Sequence, residues 1–306
     1  MDLEKSESGL WKVRKNSQMY QHLIAFLHST WNSTSTSFFP GPQPISIERK
    51  HFPILKRNEY VVCEKTDGVR HALIAVMYDG KKICATINRS QEIHLIPLNL
   101  PKPMFTGTVL DGELVDKVFM VYDCLLVSNK PVGHLDLHKR LEEARGPIAG
   151  IMKLAKDPFV VKVKTFWPLS NFKEFMAQEF PYKTDGIVLT PVNEPVRIGT
   201  HETLFKWKPR DQNTIDFQFK WYNNCWGMYV QEKGRLVFES ELHPQIAQMF
   251  NIKEDDIVEC QYIHWESPRW WKPVLIRTDK THPNNRRTFY RTLTNIAENI
   301  EIKEFF

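Results

Sequence analysis

The chain has 306 residues, with 41 lysines and arginines against 36 aspartates and glutamates, which gives a formal net charge of +5. Hydrophobic residues make up 42% and charged residues 25% of the sequence, the usual mixture of a globular protein, and this excludes a mainly disordered or fibrous chain. At about 150 residues per domain, the length predicts two domains. The mildly positive charge permits a nucleotide or nucleic-acid partner but does not require one.

The sequence contains no membrane or export signal that we recognise. No apolar stretch approaches the ~18 residues of a transmembrane helix, and the polar, acidic N-terminus is unlike a secretory signal. The five cysteines include no CxxC pair, and Cys63, Cys84 and Cys124 lie in apolar runs. We therefore expect an intracellular protein with no membrane partner, whose cysteines are reduced rather than bridged or bound to zinc.

The first two thirds of the chain predict helices and antiparallel strands. Residues 17–28 have apolar side chains at helical spacing, and a loop rich in turn residues follows over 30–44. From residue 60, short β-branched and aromatic runs such as YVVCEKT, HALIAVMY and KVFMVYDCLLV predict strands of a mainly antiparallel sheet. Helices are predicted over 135–155 and 171–179, and strand character returns before residue 209.

The last third has a different pattern. Residues 214–277 form short strand-like runs broken by turns, with one helix near 244–251, and this regular spacing predicts a small β-barrel. The tail, residues 285–306, has a helical pattern with a break predicted at Thr294 or Asn295. Trp221, Trp226 and three further tryptophans lie in this region, and they would either fill the barrel core or stack on single-stranded RNA.

The sharpest local feature is the run from Glu64 to Arg70, with the sequence EKTDGVR. It places Lys65 at the end of an apolar strand, beside a turn that carries Asp67. A charged turn after a strand would explain this pattern, and so would a nucleophilic lysine. An ordinary lysine has a pKa of about 10.4 and is almost entirely charged at pH 7, so a nucleophilic one needs cations or a metal nearby.

Further charged groups of this kind follow along the chain. A strand over 108–114 ends in acidic residues, and the run FMVYD follows at 119–123. KTDG recurs at 183–186, and Lys206 and Lys208 alternate onto one face of a strand. The sequence RTDK at 277–280 completes the set. Each piece alone is common on protein surfaces, and only their order along the chain is specific.

That order resembles motifs I, III, IIIa, IV, V and VI of the covalent nucleotidyltransferases, the superfamily of ATP-dependent ligases and mRNA guanylyltransferases. Asp185 before Gly186, the run NTIDF at 213–217 and the run after RTDK are typical of mRNA capping enzymes. The sequence is most similar to the small single-chain capping enzymes of chlorella viruses and related large DNA viruses, from residues 39–50 through to 292–302.

The resemblance implies an α+β fold in two domains. A nucleotidyltransferase domain, ATP-grasp-like or DNA-ligase-like, with antiparallel sheets and helices would span 1–211. An OB-fold barrel would span 212–291, and the helix at 292–306 would pack back on the first domain. Closure of the barrel over the nucleotide would serve the first chemical step, and opening would admit RNA.

The same resemblance implies a GTP:RNA guanylyltransferase. Lys65 would attack the α-phosphate of GTP and form a covalent lysyl–GMP, and the 5′-diphosphate end of a single-stranded RNA would then take the GMP to form GpppRNA. The residues expected to act in catalysis are Lys65, Lys206, Lys208, Arg277 and Lys280. Lys206 and Lys208 would face the α-phosphate, and Arg277 and Lys280 the β- and γ-phosphates.

A second set of residues is expected to bind GTP. Tyr122 would stack on one face of the guanine, Val188 would lie on the other, and Lys164 would donate to guanine O6, although a surface lysine on a strand remains an alternative for Lys164. Arg70 and Arg89 would contact ribose or phosphate, and Asp279 would orient the basic groups of motif VI. The full GTP-binding set consists of Glu64, Asp67, Arg70, Arg89, Glu113, Tyr122, Lys164, Val188 and Asp279.

The resemblance also implies a metal and partners. Glu113 and Asp185 would hold Mg²⁺ or Mn²⁺, hard ions that prefer oxygen ligands. A separate RNA triphosphatase and cap methyltransferase would supply the other steps, and the chain would act as a monomer, in a nucleus or a cytoplasmic viral factory. Two alternatives remain open: an ATP-dependent polynucleotide ligase, and an inactive nucleotide- or RNA-binding relative.

Overall fold

The chain folds into two compact units. The computed structural model describes residues 2–247, 250–263, 270–278 and 280–305, with the backbone alone for Gln245 and Trp270. The first unit comprises Met1–Ile45 and Ile54–Lys206, and the second comprises Ser46–Pro53 and Trp207–Phe306. The change of unit after residue 206 lies close to the domain boundary predicted at 211. The placement of 46–53 with the second unit has no counterpart in that prediction.

Up to residue 207 the chain alternates between strands and short helices. In chain order these are β1 (Leu3–Lys5), β2 (Trp11–Val13), α1 (Gln18–Thr30), β3 (Gln43–Ser46), α2 (Phe52–Arg57), β4 (Tyr60–Thr66), β5 (Val69–Tyr78), β6 (Lys81–Asn88), β7 (Ile93–Leu95), β8 (Thr108–Val115), β9 (Val118–Val127), β10 (Lys130–Pro131), α3 (Leu137–Ala149), β11 (Val160–Val163), β12 (Trp167–Pro168), α4 (Phe172–Met176), β13 (Thr184–Pro191) and β14 (Thr200–Trp207).

These strands form two sheets. The larger sheet has the order β1-β2-β7-β6-β5-β8-β9-β10, and β11 joins it by a parallel pairing with β9. The smaller sheet has the order β12-β4-β13-β14-β3. β4 of the smaller sheet leads into β5 of the larger one through the two residues Asp67 and Gly68, so the chain passes directly from one sheet to the other.

The larger sheet is buried on both faces, which explains its nearly continuous apolar strands. Successive side chains of a strand point to opposite faces, and in β5 Ala72 and Ile74 belong to one hydrophobic cluster while Leu73 and Ala75 belong to another. The first cluster includes Leu23 and other residues of α1, and the second includes residues of α3. The two helices therefore cover opposite faces of the sheet.

The second unit contains a five-stranded antiparallel sheet. Its elements are β15 (Thr214–Tyr222), β16 (Cys225–Glu232), β17 (Arg235–Glu241), α5 (Pro244–Ala247), β18 (Ile257–Ile263), β19 (Trp270–Ile276) and α6 (Arg286–Glu298), with a strand order of β17-β16-β15-β18-β19. The short strands predicted over 214–277 are present, and their closure into an OB-type barrel stays a prediction. Phe289 and Ile296 of α6 pack in the same hydrophobic cluster as Phe217 and Phe219.

The tail differs from its prediction. The expected break at Thr294 or Asn295 is wrong, because α6 continues to Glu298 and ends where Asn299 takes a left-handed conformation with φ of 45°. The Asn295 side chain donates to the carbonyl oxygen of Ile47 rather than ending the helix. The tail thus contacts the segment 46–53, with which it shares the second unit. The predicted bounds 1–211, 212–291 and 292–306 stay a prediction.

Several other predictions can be compared with the structure. The α+β class with mainly antiparallel sheets is confirmed. α3 ends at Ala149, earlier than the predicted 155, and α4 is shorter than 171–179. All five cysteines are free, as predicted. Of the barrel tryptophans, Trp271 is buried in the core and Trp221 is 54% exposed, while Trp265 and the Trp270 side chain lie outside the described residues.

Candidate functional site

A cavity in the first unit lies where its two sheets meet. β4, β13 and β14 of the smaller sheet line one side, and β5, β8 and β9 of the larger sheet line the other. Eight of the residues predicted to bind or act on a nucleotide line it: Glu64, Lys65, Arg70, Arg89, Glu113, Tyr122, Lys164 and Val188. The remaining lining residues are Pro42, Pro44, Cys63, Thr66, Asp123, Phe166, Thr190 and Leu204.

Lys65 stands near the end of β4, with 22% of its side chain exposed. The preceding strand residues are buried and apolar, and they fix the backbone from which the lysine extends into the cavity. Its Nζ donates to Oδ1 of Asp185 at 2.6 Å. β13, which carries Asp185, pairs antiparallel with β4. The pairing of two adjacent strands therefore brings together an amine and a carboxylate 120 residues apart.

Arg70, Asp111 and Tyr122 form a buried cluster on the larger sheet. Nε and Nη2 of Arg70 donate to the two oxygens of Asp111, at 3.0 and 2.6 Å, and the Asp111 side chain has no exposed surface. The Tyr122 hydroxyl donates to Oδ1 of the same carboxylate at 3.0 Å. Burial raises the pKa of Tyr122 well above its usual value, so the hydroxyl remains a donor. One carboxylate thus orients both a cation and an aromatic ring.

Lys164 is buried, which excludes the alternative of a surface lysine. It follows the parallel strand β11 and has 3% of its side chain exposed. Its Nζ lies 3.2 Å from Oε1 of Glu64 and donates to Oγ1 of Thr66 at 2.5 Å. The Tyr182 hydroxyl donates to the same Glu64 oxygen at 2.8 Å. These contacts hold the ammonium of Lys164 in the wall of the cavity.

Glu113 contributes an acidic side chain to the cavity, and Arg89 contributes a basic one. Burial raises the pKa of Glu113 although the charges of Lys164, Lys65, Arg89 and Arg70 oppose the shift. Within the described part of the chain, Glu113 forms no ion pair shorter than 4 Å. Arg89 follows β6 and donates from Nη2 to Oε1 of Gln43 at 2.9 Å.

Three predicted residues of the first unit do not line the cavity: Asp67, Asp185 and Lys206. Asp67 is 41% exposed in its side chain and pairs with the exposed Lys183 at 2.7 Å. Lys206 is half-buried on β14, and it shares a strand face with the lining residue Leu204 because the two are separated by two positions. Lys208, two residues further on, belongs to the second unit.

The predicted cations of motif VI lie in the second unit. Arg277 Nη1 approaches Oδ1 of Asp216 at 3.2 Å and Oε2 of Glu259 at 3.3 Å. Lys280 donates to the other oxygen of Asp216. A single carboxylate of β15 therefore binds both cations. Asp279 lies outside the described residues.

The sequence patterns did not single out some of the residues around the cavity. Asp111 and Thr66 belong to motifs III and I, and their neighbours Glu113 and Lys65 were singled out instead. Asp123 lines the cavity and accepts two hydrogen bonds from Arg140, at 2.7 and 2.9 Å. Pro42 and Gln43 come from the predicted loop, where turn-rich sequence gave no indication of a role.

The chemistry of the cavity is that of a site for a planar ring and an anionic group. The Tyr122 ring and Val188 provide flat and apolar surfaces, and Lys164 provides an ammonium donor. Lys65 and Arg89 add positive charge, of which Lys65 is paired with Asp185. The cavity thus combines an aromatic ring, apolar side chains and several cations with the amine of Lys65.

Comparison with models of protein families identifies the family to which the chain belongs. Residues 4–210 match the family model described as mRNA capping enzyme, catalytic domain, and residues 212–306 match mRNA capping enzyme, C-terminal domain. The chain therefore belongs to the mRNA capping enzyme family. The prediction of a capping-enzyme relative among the nucleotidyltransferases is confirmed at this level.

Individual relatives are similar over most of the chain. An mRNA-capping enzyme of Danio rerio is 28% identical over 84% of this chain and 46% of its own length. An mRNA-capping enzyme subunit alpha of Yarrowia lipolytica is 28% identical over 87% of this chain and 80% of its own length. The chain thus spans about half the length of the Danio rerio enzyme. Among solved structures, a mycobacterial DNA ligase D complexed with ATP gives a TM-score of 0.44 at 11% identity, over 79% of this chain and 95% of that one.

Proposed function

We propose that this chain is a GTP:RNA guanylyltransferase in which Lys65 is the nucleophile. The observation that carries the proposal is the placement of the Lys65 amine, bound to Asp185 at 2.6 Å, in a cavity that also holds Arg70, Arg89 and Lys164. Family membership supports the class of reaction. A cavity with several cations suits phosphoryl transfer, which depends on alignment and charge neutralisation.

The reaction has two steps. In the first, Lys65 Nζ attacks the α-phosphorus of GTP, a P–N bond forms, the P–O bond to the β-phosphate breaks, pyrophosphate leaves, and the amine loses its proton to solvent. In the second, a β-phosphate oxygen at the 5′-diphosphate end of an RNA attacks the same phosphorus. The P–N bond breaks, the lysine regains a proton, and GpppRNA is released.

We assign guanine to the part of the cavity near Tyr122. The Tyr122 ring is held by the hydrogen bond to Asp111 and offers one stacking face, and Val188 offers the other. Lys164 is an ammonium donor that suits guanine O6, and Glu64 and Thr66 hold it in place. Adenine carries an amino group at the corresponding position, so a fixed lysine there favours GTP over ATP.

We assign the triphosphate to the remaining cations. Lys206 and Lys208 act at the α-phosphate, and Arg277 and Lys280 take the β- and γ-phosphates, with Asp279 as their orienting acid. The exposed fractions of Arg277 and Lys280, 21% and 32%, are compatible with an exchange of carboxylate for phosphate. Asp67 and Arg89 complete the set of GTP-binding residues.

Glu113 and Asp185 fit a divalent cation, because hard ions such as Mg²⁺ and Mn²⁺ prefer carboxylate oxygens. Across the described residues, no three His, Cys, Asp or Glu side chains stand close enough to hold an ion by themselves. The phosphate oxygens of GTP would therefore complete the ligand set. When bound, the ion would neutralise charge on the phosphates, and Glu113 and Asp185 would hold it.

The wider setting of the activity follows from the same proposal. The RNA 5′-diphosphate comes from a separate triphosphatase, and a separate methyltransferase acts on the cap. We expect a monomer that acts inside the cell, in a nucleus or a cytoplasmic viral factory, and we retain the likeness to chlorella-virus enzymes as part of the proposal. In the part of the chain that the structure describes, no helix is long and apolar enough to cross a bilayer.

The test is transfer of label from [α-³²P]GTP to the protein with Mg²⁺ present. We expect a covalent adduct that acid cleaves and alkali spares, and none with Lys65→Ala. The chain offers a matched control, because Lys183 heads the second KTDG sequence but is 80% exposed and pairs with Asp67. Lys183→Ala should keep the adduct. Loss of label in both variants, or its retention in Lys65→Ala, would contradict the proposal.

Competition between GTP and ATP in the same assay distinguishes a guanylyltransferase from a ligase. Excess unlabelled GTP should suppress the labelling and excess ATP should not. Efficient labelling from [α-³²P]ATP would instead support an ATP-dependent polynucleotide ligase. Tight GTP binding with no adduct in the parent protein would support an inactive relative.

A further inference from the structure

Residues 39–43, with the sequence FPGPQ, form a buried strap at the edge of the cavity. Phe39 is 5% exposed, and the three residues after it are also buried. Hydrogen bonds fix the strap to the turn before β14: Gln43 N donates to the Gly199 carbonyl at 2.7 Å, and Gly199 N donates to the Pro40 carbonyl at 3.4 Å. The two prolines further restrict the backbone. The strap is therefore a fixed part of the cavity wall.

The strap contacts Arg70 in three ways. The Pro42 carbonyl accepts a hydrogen bond from Arg70 Nη1 at 2.6 Å, and the Arg70 guanidinium carbon lies 5.1 Å from the centre of the Phe39 ring. A Cβ atom at position 41 would come within 2.3 Å of Arg70 Nη2, so only glycine allows this approach. The strap thus holds the guanidinium together with Asp111.

The same strap contacts Arg89 through one side chain. Gln43 Oε1 accepts a hydrogen bond from Arg89 Nη2 at 2.9 Å. Arg89 lines the cavity but is exposed, and an exposed arginine side chain without a contact would sample many rotamers. Within the described residues, this is the one side-chain hydrogen bond that Arg89 makes. Because glutamine is neutral, the bond fixes the direction of Arg89 and leaves its charge available.

We propose that the strap positions both arginines for the nucleotide and that Gln43 is a positioning residue that acts through Arg89. This inference rests on the proposed function, since it assumes that the cavity binds a phosphorylated guanosine. Arg70 has its charge neutralised by Asp111. Arg89 is then the arginine whose charge serves the phosphates, and the neutral acceptor on the strap keeps it directed towards them.

A second glutamine, Gln91, provides a control for the loss of a glutamine side chain. Gln91 Nε2 donates to the Thr36 carbonyl at 2.8 Å, so Gln91 tethers the loop that leads into the strap but contacts neither arginine. Gln43→Ala should raise the GTP concentration that half-saturates adduct formation by about three- to tenfold, the range of the net contribution of a typical hydrogen bond. Gln91→Ala should stay within twofold of the parent.

Two further readouts separate positioning from a general structural role. Guanosine carries no phosphate, so its inhibition constant in the same assay should be unchanged in Gln43→Ala. Gln43→Glu keeps the side-chain length but supplies a carboxylate that neutralises Arg89, so its half-saturating GTP concentration should rise at least as much as that of Gln43→Ala. A merely structural glutamine would tolerate glutamate at this exposed bond.

A double-mutant comparison tests whether Gln43 acts through Arg89. In an Arg89→Ala background, Gln43→Ala should have no further effect on GTP half-saturation. An equal loss in both backgrounds, a parallel change for guanosine, or a Gln43→Ala variant within twofold of the parent would overturn the inference. Because the parent protein must form the lysyl–GMP adduct for any of these measurements, failure of the proposed function would show in the parent and failure of the inference only in the variants.

Discussion

The two units hold their cations in different ways. In the first, Arg70 and Asp111 form a two-bond pair that is almost fully buried, with exposed fractions of 7% and 0%. In the second, Arg277 and Lys280 share Asp216 while 21% and 32% of their side chains remain exposed. Breaking a buried pair leaves an uncompensated charge, whereas a part-exposed cation can exchange one anion for another at low cost. The first arrangement is suited to shape a site, and the second to take up a phosphate.

The largest effect that would test this contrast is expected from Asp111→Asn. The change keeps the shape of the side chain but leaves the Arg70 guanidinium buried without its counter-charge, and it weakens the support of Tyr122. We expect a loss of about 3 kcal/mol in the free energy of unfolding, measured by urea denaturation.

The control for this prediction is an exposed pair in the same unit. Lys130 and Glu143 lie 2.5 Å apart with exposed fractions of 58% and 36%. Glu143→Gln should cost less than about 1 kcal/mol. If Asp111→Asn cost no more than this surface change, burial would not make the Arg70–Asp111 pair harder to break than an exposed pair.

A smaller effect is expected from Asp216→Asn in the second unit. Asp216 is 5% exposed, but its two cations reach solvent and can rehydrate, so we expect a loss of about 1–2 kcal/mol. The rate of adduct formation at saturating GTP should also fall, because Arg277 and Lys280 lose their common anchor. Asp255→Asn, which breaks the exposed pair with Lys220, provides the control. A loss for Asp216→Asn as large as for Asp111→Asn would remove the contrast between the units.

The smallest effect, and one of opposite sign, is expected from Glu113→Gln. Burial raises the pKa of Glu113 above the usual 4.5, so the folded state binds a proton here more readily than the unfolded state. Stability therefore falls as the pH rises through the folded pKa, and it is recovered as the pH falls towards 4.5. Glutamine does not carry this cost. Glu113→Gln should raise the Tm at pH 7.5, and the gain should shrink at pH 5.

The Tm of both proteins across that pH range checks the prediction. An equal difference at both pH values would show that the carboxylate charge is not the cause. A lower Tm for Glu113→Gln at pH 7.5 would show that Glu113 is stabilised by its cationic neighbours in spite of its raised pKa.

Sequence patterns anticipated the parts of the molecule that local sequence determines. The strand that ends at Lys65 and the α1 helix follow from runs of apolar residues and from the residues that end them. The family was also accessible, because its motifs are short and occur in a fixed order. Each motif lies within about ten neighbouring residues, and their order is read directly along the chain.

Contacts between distant parts of the chain were not accessible in the same way. Arg70 bonds to Pro42 and Asp111, which lie 28 and 41 residues away, and Arg89 bonds to Gln43 across 46 residues. A turn-rich run such as 30–44 predicts only a loop. The break expected in the tail also failed for this reason, since the burial of Ile296 and the bond from Asn295 to Ile47 depend on the folded second unit.

The position of the cavity where the two sheets meet has a consequence for the order of folding. The hairpin β5–β6 and the pair β8–β9 join segments that are adjacent in the chain, whereas the bonds from Lys65 to Asp185 and from Lys164 to Thr66 span 120 and 98 residues. Contacts of large sequence separation form slowly, because a long loop must close before they are made. A chain still emerging from the ribosome would have its central hairpins before its cavity, and the lysine amine would reach its carboxylate only after β13 had been synthesised.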